Sequence, residues 1–117
     1  MSYLEPKSVI SPKDRWQLLG VVYDRGEHDS SVAFGEWDGD PCLVSRWNGS
    51  LNGERSNKGN PISHFQPTWF VLPDFIARAT MKDLLMLHAI GDQRVNQKVL
   101  LQAINALTPS SNITKAA

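Results

Sequence analysis

Arg46-Trp47-Asn48-Gly49 and Pro67-Thr68-Trp69-Phe70 are the two strings in this 117-residue chain whose side chains could do chemistry together. Arginine offers a planar fork of N–H donors that matches a phosphate, asparagine adds a donor and an acceptor, and indole and phenyl rings stack on a purine face. Arg46, Trp47, Asn48, Trp69 and Phe70 therefore make a candidate ligand-binding set of nucleotide type. The same residues also fit a plainer role, as core aromatics beside a paired or solvated strand arginine. Residue chemistry alone favours that plainer role.

Catalytic and metal chemistry have less to stand on. His28, His64 and His88 are 36 and 24 residues apart, and none has Cys or Glu at a metal-ligand spacing, so no metal and no cofactor is expected. No strand–turn–helix context singles out a Ser or Cys nucleophile, so the chain is not expected to be an enzyme. Glu36, Asp38 and Asp40 lack the glycine and terminal glutamate offsets of a calcium loop and read as a solvated turn. The lone Cys42, between Pro41 and Leu43, reads as a buried small side chain.

The elements that must position these residues follow from periodicity. Residues 15–23 are β-prone and apolar on both alternating faces, with Gly20 marking a bulge or a close backbone approach. Residues 24–30 form a polar turn cluster, and Val32 and Phe34 alternate with Ala33, Gly35 and Trp37 along a second strand. Asp38-Gly39 supplies the two positive-φ positions of a tight hairpin, followed by a third strand over residues 42–47. Residues 48–66 hold clustered Gly, Asn, Ser and Pro with no hydrophobic period and read as a long loop, which in a compact domain is usually functional or disordered. A short β-branched and aromatic strand over residues 68–72 comes next.

Pro73-Asp74 then opens a helix that runs to Gly91, and Asp92 is positioned to cap a second helix that stops before Pro109. The expected architecture is α+β: an antiparallel four-strand meander followed by two C-terminal helices. It is read as a single domain over residues 1–117. An extended arm occupies 1–14, the β-sheet part 15–72, the helical part 73–107 and a tail 108–117.

Twelve Lys and Arg balance twelve Asp and Glu, which removes the electrostatic argument for non-specific DNA or membrane binding. No apolar run exceeds four residues, far below the roughly 18 a membrane span requires, and no basic-then-apolar leader opens the chain. A cytoplasmic protein is expected.

Trp37-Asp38-Gly39, Arg46-Trp47-Asn48-Gly49, Gly59-Asn60-Pro61-Ile62-Ser63 and the run from Pro67 to Pro73 together resemble a family of short phage and mobile-element proteins, the first anti-Thoeris family. The resemblance spans roughly residues 9 to 75. It implies a β-sheet domain with helices that make a dimer or higher homo-oligomer. It also implies a pocket that sequesters a cyclic ADP-ribose signal without cleaving it, with cyclic oligonucleotides as a further ligand class. By motif match Arg46 and Asn48 become pocket polar groups, and Trp69 and Phe70 become base-stacking residues. Beyond the matched motifs, Arg94 and Lys98 stand at i,i+4 and with Arg15 beside them make a candidate second anion site. Leu84, Leu85 and Leu101 are expected at the subunit interface. The competing expectation is a small inhibitor that docks on a host defence complex, as anti-CRISPR proteins do.

Overall fold

The computed structural model describes residues 5–50 and 58–108. Strands β1 (Trp16–Asp24), β2 (Ser30–Trp37) and β3 (Asp40–Trp47) form an antiparallel meander, and β6 (Phe70–Val71) joins the outer side of β3. A separate two-residue pair, β4 (Ile62–Ser63) and β5 (Gln66–Pro67), makes a small hairpin between β3 and β6. Helices α1 (Asp74–Ala89) and α2 (Gln97–Leu107) complete the order. The α+β meander with two C-terminal helices is thus the observed fold.

Because side chains alternate across a strand, the sheet carries two different cores. On one face Phe34, Leu43 and Val22 meet Ala77, Met81 and Leu84 of α1 and Val99, Leu100 and Ala103 of α2. On the other, Trp16, Ala33, Val44 and Trp69 pack with Val9 of the N-terminal arm. The arm docks through a 3-10 turn, Pro6–Ser8, where an extended segment was expected.

Turn chemistry places most boundaries. Asp38 (φ 53°) and Gly39 (φ 86°) make the expected tight turn between β2 and β3. In β1 the register slips between Leu18 and Gly20, and a side chain at Gly20 would overlap Val99 of α2, so this glycine marks both the bulge and the close approach. Helix α1 ends where Gly91 takes φ 99°.

Three expectations need correction. The cap of α2 is Asn96, whose side chain accepts from the Val99 N–H at 3.2 Å; Asp92 is instead engaged by Tyr23 and Arg94. Val95 lies before α2 and bridges to Tyr23. Leu84, expected at a subunit interface, is buried in the chain's own core, whereas Leu85 and Leu101 are exposed. The long loop of residues 48–66 contains β4 and the isolated bridge Trp47–Asn60; its residues 51–57 and the tail residues 109–117 lie outside the described set. No helix among the described residues is long and apolar enough to cross a membrane.

Candidate functional site

The strings singled out in the sequence straddle the sheet. Residues 46 and 47 point to opposite faces of β3, and Trp69 and Phe70 are divided in the same way at β6. Arg46 faces the arm side and is only 2% exposed. Its Nη1 donates to the carbonyl of Thr68 at 2.5 Å and to that of Pro61 at 3.5 Å, and its Nη2 donates to the carbonyl of Lys58. Among the described residues Nε has no partner and no carboxylate joins the group. Burial pushes the guanidinium pKa down to about 10, so it stays a cation at neutral pH.

Asn48 is equally committed. Its Oδ1 accepts from Ser31 Oγ at 2.6 Å, and its Nδ2 donates to Asp24 Oδ1 at 3.1 Å and to the Gly26 carbonyl at 2.7 Å. The amide therefore ties the end of β1, the following turn and the start of β2 together. Trp69 is buried, with Nε1 donating to the Val9 carbonyl at 2.8 Å, its ring 6.4 Å from Trp16 and 6.0 Å from the Arg46 guanidinium carbon. Arg46, Asn48 and Trp69 hold the fold and present no open surface to a ligand. Trp47 and Phe70 are exposed.

The helix face carries a cleft of about 470 Å³. Tyr23, Val32, Ser45 and Phe70 stand opposite one another on consecutive strands and so share that face. Tyr23 and Val32 floor the cleft with Ser30, α1 supplies Phe75, Ile76, Ala79, Thr80 and Asp83 as its wall, and Arg25 stands at its polar end. Phe70 lies about 10 Å from Val32 by strand spacing, on the same surface.

Two arginines frame Tyr23. The guanidinium carbons of Arg25 and Arg94 lie 5.9 and 5.4 Å from its ring centroid. Arg25 Nη1 donates to the Tyr23 hydroxyl at 3.2 Å, and that hydroxyl donates to Asp92 Oδ2 at 2.7 Å. Arg25 also pairs with Asp29 at 3.1 Å, and Arg94 forms a fork on Asp92 at 3.0 and 2.9 Å. Burial, then the bond to Asp92, raises the Tyr23 pKa and keeps its hydroxyl a donor. The fork from Arg94, then the Tyr23 hydroxyl, holds the Asp92 carboxyl far below the ordinary carboxylate range.

A depressed carboxyl pKa makes stability depend on acid. Below about pH 4 the unfolded chain takes up protons that folded Asp92 resists, so this contribution is present above about pH 4 and is lost as pH falls through the folded value. Asp29, held down by the Ser30 N–H and Arg25, and Asp38, held down by Arg15, act in the same direction. Asp92→Asn should therefore lower Tm clearly at pH 6 and by a smaller amount at pH 2.5, where part of the contribution is already lost. Melting curves of both proteins at the two pH values check this; an equal deficit at both would mean that the charge of Asp92 contributes nothing.

Arg15 and Arg94 do not meet. Arg15 precedes β1 and forks onto Asp38 at 3.0 and 2.7 Å, whereas Arg94 sits beside Tyr23 near the other end of β1, roughly 25 Å away by strand rise. Lys98, exposed on the first turn of α2, has no ion pair among the described residues. A second anion site built from all three would require more than one copy. Burial pushes the Cys42 thiol up to about 11, away from the reactive thiolate. Among the described residues no three His, Cys, Asp or Glu side chains are grouped to hold a metal ion.

Tyr23, Arg25 and Phe75 are the site residues that the sequence reading passed over. Arg25 sat inside what read as a polar turn, and Phe75 inside the first turn of a helix. The one legible signal was Tyr23 itself, a polar-tipped aromatic near a strand end, two residues before an arginine. No family model, curated protein or solved structure matches the chain.

Proposed function

We propose that this chain is a binding protein that sequesters a cyclic nucleotide signal of the cyclic ADP-ribose type without cleaving it. In this reading it acts as a phage or mobile-element anti-defence protein in the cytoplasm of a host bacterium. The observation that carries the reading is the helix-face cleft. Its 470 Å³ lies within the roughly 300–1,000 Å³ of small-molecule sites, and its walls are mostly apolar with an arginine at one end. Tyr23 and Phe75 offer rings for a purine face, Arg25 offers guanidinium donors for a phosphate, and Thr80 and Ser30 offer hydroxyls to ribose. The ligand class in this proposal comes from the motif resemblance, and the cleft is the proposed seat for it because Arg46 and Trp69 are buried.

Self-association belongs to the same proposal. Met86 and Ile90 of the α1 region and Leu85 and Leu101 are large apolar residues left exposed on the helical side. A surface of this kind marks an interaction site when its members are contiguous.

A thermal-shift titration tests the reading. Wild type should gain on the order of 3 to 4 kcal/mol of stability at 100 to 1,000 times Kd of a cyclic ADP-ribose isomer. Arg25→Ala should weaken binding roughly 10- to 150-fold, the loss of a charge-assisted contact. Phe75→Ala should also weaken binding while barely moving the melting point of the free protein, because Phe75 is exposed in the free chain. A wild-type Tm unmoved by millimolar ligand contradicts the proposal.

A further inference from the structure

The polar side chains that line the helix-face cleft differ in what each has left to offer a ligand. The Tyr23 hydroxyl donates to Asp92 and accepts from Arg25. Thr80 Oγ1 donates its proton to the Ile76 carbonyl at 2.8 Å, and Ser30 Oγ donates to Asp29 Oδ1 at 3.3 Å. A hydroxyl has one proton and two lone pairs, so Thr80 and Ser30 meet a ligand as acceptors. Arg25 bonds Tyr23 and Asp29 through Nη1 and Nε and is the one lining side chain with N–H donors to spare.

Asp83 completes this set of acceptors. It is exposed on the wall that α1 supplies, and among the described residues it has neither an ion pair nor a hydrogen bond. An ionised carboxylate only accepts, and it repels the phosphates of a nucleotide unless the ligand brings donors to it. Thr80 lies one turn before Asp83 on the same face of α1, so their acceptor oxygens share one stretch of wall.

The donors that fit are the vicinal hydroxyls of a ribose. Two neighbouring O–H groups can meet the two oxygens of one carboxylate, and an acidic side chain holds the ribose hydroxyl in dinucleotide-binding folds. A purine amino group sends its two N–H bonds apart and gives a carboxylate only one of them. We infer that Asp83 is the residue that reads the ligand's sugar: with Thr80 it accepts from a free vicinal diol, so the cleft takes ribonucleotides and rejects their deoxy counterparts. This rests on the proposed nucleotide site and adds to it the group by which the ligand is selected.

Calorimetric titration of the full chain with a cyclic ADP-ribose isomer, and with analogues each lacking one ribose hydroxyl, tests the site and the selection separately. Binding of the parent compound by wild type tests the cleft, and the pattern among the analogues tests Asp83. The two analogues that each lack one member of a vicinal pair should bind roughly 10- to 150-fold more weakly than the parent, the loss of a hydrogen bond to a charged group. Asp83→Ala should bind the parent more weakly by a similar factor, should no longer distinguish it from those two analogues, and should melt as wild type does because the side chain is exposed. Retained discrimination by Asp83→Ala, tighter binding of every ligand, a lowered melting point, or a loss confined to an analogue whose purine amino group is replaced by oxygen would each overturn the inference and leave sequestration standing. A wild type that binds no member of the set overturns both.

Discussion

Arg46→Ala is expected to lower the free energy of unfolding by about 3 to 5 kcal/mol, enough to unfold a marginally stable domain. The loss has two sources. Removal of the guanidinium leaves main-chain carbonyls that Arg46 now serves without donors, and a buried unsatisfied group costs about 1 to 3 kcal/mol. It also leaves a cavity beside Trp69, which adds to the penalty. Arg46→Lys keeps a charge but cannot span both sides of the hairpin base, so it should recover only a minor part of the loss. Urea denaturation monitored by tryptophan fluorescence checks this: the midpoint should fall with the m value unchanged. A normal midpoint for Arg46→Ala would mean that the three carbonyls find other partners and that Arg46 is not the clamp.

Trp69→Ala should cost a similar amount, about 3 to 5 kcal/mol, as expected for a buried tryptophan reduced to alanine. The ring closes the arm-side core against Trp16, and its Nε1 bond to the Val9 carbonyl is a direct tie between the arm and the sheet. A second tie, Thr68 Oγ1 to the Ser11 carbonyl at 2.8 Å, would be left without its neighbour. Amide exchange at Val9 should therefore speed up by more than the global loss of stability accounts for, because the arm opens first. Phe70→Ala next door is the internal control. Phe70 is exposed on the opposite face, so its truncation should change Tm by little. Equal destabilisation by the two substitutions would contradict the two-faced description of the sheet.

These two residues also show what the sequence could and could not convey. The three long strands and both helices were readable because each carries a sustained period and clear turn residues, Asp38-Gly39 and Gly91 among them. The pairs Arg46-Trp47 and Trp69-Phe70 looked like one cluster because neighbours in sequence look like neighbours in space, whereas alternation along a strand sends them to opposite faces. Arg46 gave no sign of its role, since its partners are carbonyls and every residue has one. The β4–β5 hairpin was invisible because two-residue strands have no period and His-Phe is not a turn-forming pair. The cleft was missed for a different reason. Tyr23 and Arg25 lie about fifty residues before Phe75 and Thr80, and only the packing of α1 on the sheet brings them together. Asn96 caps α2, while Asp92, four residues earlier, is held locally by Arg94 and across the fold by Tyr23; only the Tyr23 bond leaves no local trace in the sequence.

Equilibrium dialysis of the purified chain against a cyclic ADP-ribose isomer, followed by heat denaturation and chromatography of the released ligand, tests the central claim most directly. The account predicts saturable retention that Arg25→Ala weakens at least tenfold, with every retained molecule recovered chemically unchanged. No retention by a folded wild-type protein, or recovery of a cleaved product, would contradict it.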